Sequence, residues 1–68
     1  MWETWVIGET AGRVWQFLKD NGKSSLSNLE RQIDAPNRMV HMAIGWLARE
    51  DKVGLTKEKT TVWVWLRE

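Results

Sequence analysis

The chain has 68 residues, no Cys, a single His, six Trp and a formal charge of +1. At 43% hydrophobic and 28% charged it has the make-up of a folded protein rather than a disordered one. Its length allows one domain, residues 1–68, and the missing Cys excludes disulfides and Cys-based zinc sites as staples for so small a core.

After a short Trp-rich lead, Met1 to Val6, apolar residues recur at Ile7, Ala11, Val14, Trp15 and Leu18. That spacing predicts a first helix, with Thr4 as its cap and Asn21-Gly22 as its stop. Gly8 and Gly12 fall inside it and cost about 1 kcal/mol each relative to Ala. With Ala11 they form a small-residue surface open to close approach by another backbone. Ser25 predicts the cap of a second helix, whose apolar stripe is Leu26, Leu29 and Ile33.

Asp34-Ala35 reads as a turn, and Pro36 suits the first position of a third helix, 36–50, where its missing N–H is no loss. Val40, Ala43, Ile44 and Leu47 form the inward stripe of that helix, which leaves Met39, Met42 and Trp46 at its edge. Beyond Asp51-Lys52 the period changes to two. Val53 and Leu55, a polar tip at Lys57-Glu58-Lys59, and the β-branched and aromatic run Thr61 to Leu66 predict a β-hairpin.

The expected fold class is therefore α+β, mostly α: three helices and a C-terminal hairpin. This is the plan of a winged helix-turn-helix domain, with helices two and three as the helix-turn-helix and the hairpin as the wing. The segments Ile7-Gly8-Glu9-Thr10-Ala11-Gly12-Arg13-Val14-Trp15 and Ala43-Ile44-Gly45-Trp46-Leu47-Ala48-Arg49-Glu50 carry a closer likeness. They resemble signature stretches of a family of small stand-alone prokaryotic winged helix-turn-helix proteins of unassigned function. The resemblance covers the chain from about Val6 to Leu66. It implies a winged-helix fold and pairing as a homodimer, and it brings no catalytic residue and no ligand.

Laid out at about 100° per residue, the outer arc of helix 36–50 holds Ala48, His41, Gly45, Arg38 and Arg49. In a helix-turn-helix this arc enters the major groove. Arg38, His41 and Arg49 are then expected to contact phosphates or bases, and Gly45 to let the axis sit close. Lys57 and Lys59 on the wing are expected to meet flanking phosphates. Double-stranded DNA is the expected partner and transcription regulation the expected role. The bland reading is that two Arg and a His are simply the solvated face of an amphipathic helix, in keeping with the mild net charge.

The apolar content exceeds what a core this size needs. In the last strand Val62, Val64 and Leu66 share one face while Trp63 and Trp65 share the other. Trp2 and Trp5 are also spare. Exposed patches of this kind usually mark interfaces, so Trp2, Trp5, Trp63 and Trp65 are the expected homodimer contacts. The intrachain alternative is that the N-terminal Trp residues fold back over the hairpin. The second functional reading follows from the same surplus: a protein-interaction or dimerisation module that keeps the scaffold without binding DNA.

No catalytic site, metal or cofactor is expected. The one His has no carboxylate among its helical neighbours Asn37, Arg38, Ile44 and Gly45, and the Ser cluster 24–27 is explained by capping. No small-molecule substrate is evident. No apolar run reaches the roughly 18 residues of a membrane span, and the N-terminus lacks a signal-peptide layout, so a cytoplasmic location is expected.

Overall fold

The computed structural model describes residues 3–67. Its elements run α1 (Thr4–Asn21), β1 (Ser24–Ser25), α2 (Leu26–Gln32), α3 (Asn37–Arg49), β2 (Val53–Glu58) and β3 (Thr61–Leu66). The expected order of three helices and a hairpin stands, with one strand added.

Helix α1 starts earlier than its apolar stripe suggests. Thr4 is its first residue rather than its cap; Glu3 takes the extended cap conformation without a side-chain bond, and its carbonyl accepts from the Val6 N–H at 3.0 Å. Gly22 ends the helix at φ +79°, its N–H bonded to the Leu18 carbonyl at 2.7 Å. Thr10, Ala11, Val14 and Leu18 form the buried face.

Ser24 and Ser25 then pair antiparallel with Val64 and Trp63, which makes β3 the central strand of a three-stranded sheet ordered β1-β3-β2. Two polar residues show no alternation, so nothing in their pattern predicts a strand. Ser25 also caps α2 as expected: its Oγ accepts from the Asn28 N–H at 3.1 Å.

Helix α3 is one residue shorter at each end than the expected 36–50. Pro36 is the cap and not the first helical residue, because its ψ of 147° is extended. Its carbonyl nevertheless accepts from Met39 and Val40 at 2.9 and 3.1 Å, as a cap carbonyl does. The far end closes with Asp51 in the left-handed region, φ 60°. The Lys52 N–H bonds to Leu47 at 2.9 Å and the Asp51 N–H to Ala48 at 3.0 Å, the paired bonds of a Schellman motif.

The core joins α1, α2, α3 and the inner face of the sheet through Val14, Leu18, Leu29, Val40, Ala43, Leu47, Val53 and Val64. Met39 belongs to the buried set at 1% exposure and does not sit at the edge as expected. The early start of α1 accounts for this, since Thr4 and Ile7 lie beside it.

In the hairpin, β2 runs through Glu58, which pairs with Thr61. The loop is Lys59-Thr60, with Lys59 at φ 58°, so the polar tip is one residue further on than the sequence suggested. Trp63 and Trp65 stand on the outer sheet face, as the alternation predicts, but both are half-buried. The Lys23 ammonium lies 5.4 Å from the Trp63 ring and 5.6 Å from the Trp65 ring, within cation–π range. The Trp65 indole also packs directly over Gly54, where a Cβ would come within 2.5 Å of it. Lysine and glycine, rather than Trp5, thus supply the cover seen on this face.

Candidate nucleic-acid interface

The outer face of α3 is built around one ridge. Arg38, Gly45 and Arg49 fall within about 40° of one another on the helix, and Arg38 and Arg49 are about 16.5 Å apart along its axis. All three are exposed. The buried stripe on the opposite side, Met39, Val40, Ala43, Ile44 and Leu47, fixes which way the ridge points. Among the described residues neither Arg38 nor Arg49 joins an ion pair, whereas Arg13, Lys52 and Arg67 are each paired with a carboxylate. The two guanidinium groups are therefore open to an outside anion.

His41 is exposed on one flank of the ridge, as expected, but it is not idle. Its Nε2 lies 2.5 Å from Glu30 Oε2, a pair joining α3 to α2. The carboxylate comes not from His41's own helix but from α2, eleven residues away in sequence, so helical spacing gives no sign of it. The pair occupies one ring nitrogen and sets a carboxylate beside the expected DNA-facing surface. Among the described residues no group of three His, Cys, Asp or Glu side chains is placed to hold a metal ion.

Lys57 and Lys59 are exposed at the wing end. Lys57 pairs with Val62 in register, which puts it on the helix-facing side of β2, and Lys59 occupies the loop. Between α3 and the wing is an apolar cleft of about 210 Å³ bordered by Leu26, His41, Gly45, Leu55 and Val62. Leu55, at 47% exposure, and Asn37, the exposed first residue of α3, are neighbours that sequence reasoning did not single out. The Pro36-Asn37 step was the available signal for Asn37, since a polar residue just after a helix cap faces outward.

The expected dimer residues are divided between separate surfaces. Trp2 lies outside the described residues. Trp5 is 65% exposed near the start of α1, while Trp63 and Trp65 are the half-buried pair on the sheet. A second groove, about 230 Å³, runs between α1 and α3 over Gly8, Ala11 and Gly12, with Trp15 and Trp46 at its sides. Trp46 is 43% exposed, and among the described residues nothing lies within 4 Å of where a Cβ on Gly8 or Gly12 would be.

A helix-turn-helix packed on a three-stranded sheet with a projecting hairpin defines a winged helix-turn-helix protein. The chain belongs to the family described as Winged helix-turn-helix domain (DUF2582), whose model matches residues 1–66. It is 47% identical over 55 residues to the uncharacterized protein MJ1608 of Methanocaldococcus jannaschii, a match covering 76% of this chain and 77% of that one. Among solved structures it is similar to protein BT2368 from Bacteroides thetaiotaomicron, with a TM-score of 0.80 and 30% identity over 90% of this chain and 74% of the other. It is also similar to the Zalpha domain of Carassius auratus PKZ, solved in complex with Z-DNA. There the TM-score is 0.76 and the identity 26%, over 90% of this chain and 97% of that one. The fold is thus one that engages DNA in at least one structural neighbour.

Proposed function

We propose that this protein is a non-catalytic, double-stranded DNA-binding protein with a role in transcription regulation. The carrying observation is the α3 ridge of Arg38, Gly45 and Arg49, exposed along one line with both guanidinium groups unpaired among the described residues. Helix α3 lies in the groove, Arg38 and Arg49 reach phosphates at its two ends, and Lys57 and Lys59 meet the flanking backbone. His41 contributes through the ring nitrogen that Glu30 leaves free. The neighbour held on Z-DNA supports the use of this fold on a duplex. A cytoplasmic site of action fits this role, and no helix among the described residues is long and apolar enough to cross a membrane.

The test is a fluorescence-anisotropy titration of right-handed and Z-form duplexes at about 50 and 200 mM salt. Four phosphate contacts give an affinity loss of about a hundredfold between those salts. Arg38→Ala with Arg49→Ala should lower the log–log salt slope by about 2 and leave the oligomeric state unchanged. Unaltered affinity in the double variant would remove these residues from the site. Binding confined to the Z-form duplex would place the ligand with that of the structural neighbour.

A second reading, self-association, is favoured by the exposure of Trp46 beside the open Gly8–Gly12 groove and of Trp5, which by helical spacing shares the α1 face of Gly8 and Gly12. The proposed assembly is a homodimer in which Trp5 is the main contact. Trp63 and Trp65 contribute less, because Lys23 already covers part of their rings. Sedimentation of Trp5→Ala should show a shift toward monomer. If the dimer persists unchanged, this surface is not the interface. A firm dimer that binds neither duplex would favour an interaction module over a DNA-binding protein.

A further inference from the structure

The middle of the α3 face offers a docked duplex very little to hydrogen-bond with. His41 Nε2 is taken by Glu30, and Gly45 has no side chain, with open space where a Cβ would be. Met42, about 40° from the Arg38 line, is 38% exposed. Trp46 lies further round, on the side of the α1 groove. Apart from the second ring nitrogen of His41, the polar and charged groups free to engage DNA, Asn37 and Arg38 at one end and Arg49 at the other, sit at the extremities. Arg38 and Arg49 are about 16.5 Å apart along the axis, and in the proposed docking their long side chains reach the flanking backbone while the thioether and the glycine gap lie between them, over base edges.

In the major groove only one base feature answers to an apolar side chain, the C5-methyl group of a pyrimidine; every other group there donates or accepts a hydrogen bond. We infer that Met42, with the gap at Gly45, forms a contact site for a pyrimidine C5-methyl group in right-handed duplex DNA. The inference rests on the DNA-binding reading above and gives it a specificity. Gly45 lets the helix axis approach, and the unbranched, polarizable methionine chain adapts to the methyl's position. Thymine and 5-methylcytosine present the same group, so the chemistry alone does not separate them.

The experiment uses the full chain and four duplexes of equal length at one salt concentration. Two are alternating adenine–thymine and the same sequence with uracil for thymine. The other two are a guanine–cytosine duplex of non-alternating sequence and the same sequence with 5-methylcytosine. Circular dichroism of each mixture verifies a right-handed helix. Loss or gain of one buried methyl should change affinity by about three- to tenfold, in favour of the methylated member. A difference in the first pair only assigns thymine, and one in the second pair only assigns 5-methylcytosine. Met42→Ala, at a half-exposed position that leaves the core untouched, should bring the ratio to about 1 while binding persists. Equal affinities within both pairs, or a ratio that survives Met42→Ala, overturn the inference. Binding to none of the four while the Z-form duplex is bound overturns the inference alone, whereas absence of binding to every duplex, the Z-form included, overturns the DNA reading itself, an outcome distinct from equal binding.

Discussion

Gly45 and Gly54 respond to an added methyl group in opposite ways. At Gly45 a Cβ meets none of the described residues within 4 Å, so Gly45→Ala should raise stability by about 1 kcal/mol through helix propensity alone. The same methyl stands on the ridge proposed to face DNA, so affinity should fall while the unfolding midpoint rises. A variant that gains stability with no loss of binding would take the ridge out of contact. At Gly54 a Cβ would lie 2.5 Å from the Trp65 indole. Gly54→Ala must displace that ring and should cost roughly 1–3 kcal/mol in urea unfolding, with a red shift in tryptophan emission. Asp51 presents a third backbone case. It holds φ 60° at the end of α3, a position that favours glycine, and its carboxylate bonds to Arg67 at 2.6 Å on the surface. Asp51→Gly relieves the first and removes the second, an exposed pair worth about 0–1 kcal/mol. Its net stabilisation should therefore be larger in high salt, where the lost pair was already screened.

Each helix has a different relation to the sequence that encodes it. The stripes of α1, α2 and α3 and the alternation of β3 are legible because burial forces periods of 3.6 and 2 upon them. The start of α1 is not legible because Trp5 is apolar yet 65% exposed, which disguises a helical turn as an irregular lead. Strand β1 could not be read at all, since two serines pair through their backbones and carry no pattern of their own. The ridge positions of α3 followed from the helical wheel. The Glu30 partner of His41 did not, because a contact between helices depends on how they pack. Within α1, Gly8 and Gly12 lower helix propensity with no neighbour among the described residues that requires them. Gly8→Ala and Gly12→Ala should each stabilise the isolated chain by about 1 kcal/mol in thermal unfolding. If the groove receives a second copy, the same substitutions should weaken dimerisation in sedimentation. Gains in stability with an unchanged dimer would place the interface elsewhere.

On the scale of the whole molecule, a formal charge of +1 conceals an uneven distribution. Arg13, His41, Lys52 and Arg67 each have a carboxylate beside them, and Lys23 lies over two indoles. What remains on the proposed DNA side is Arg38, Arg49, Lys57 and Lys59, at the ends of α3 and of the wing. Net charge is thus a poor guide to the field a partner meets, which depends on where unpaired charges sit. The molecule measures 34 × 24 × 20 Å, so a symmetric pair can place two α3 helices one DNA turn, about 34 Å, apart.

Ser25 is where these scales meet, because the same residue pairs with Trp63 of the central strand and caps α2 through its hydroxyl. Wing and helix-turn-helix are joined at that point, so a swing of the wing would pull on the start of α2. On the proposed DNA-binding reading, the spacing from the wing lysines to the α3 ridge is thereby restrained before any contact. A duplex whose backbone matches that spacing would be bound with little entropy lost to ordering the protein. One that does not match must itself bend or twist to fit, so the stiffness of the DNA becomes part of what the protein selects.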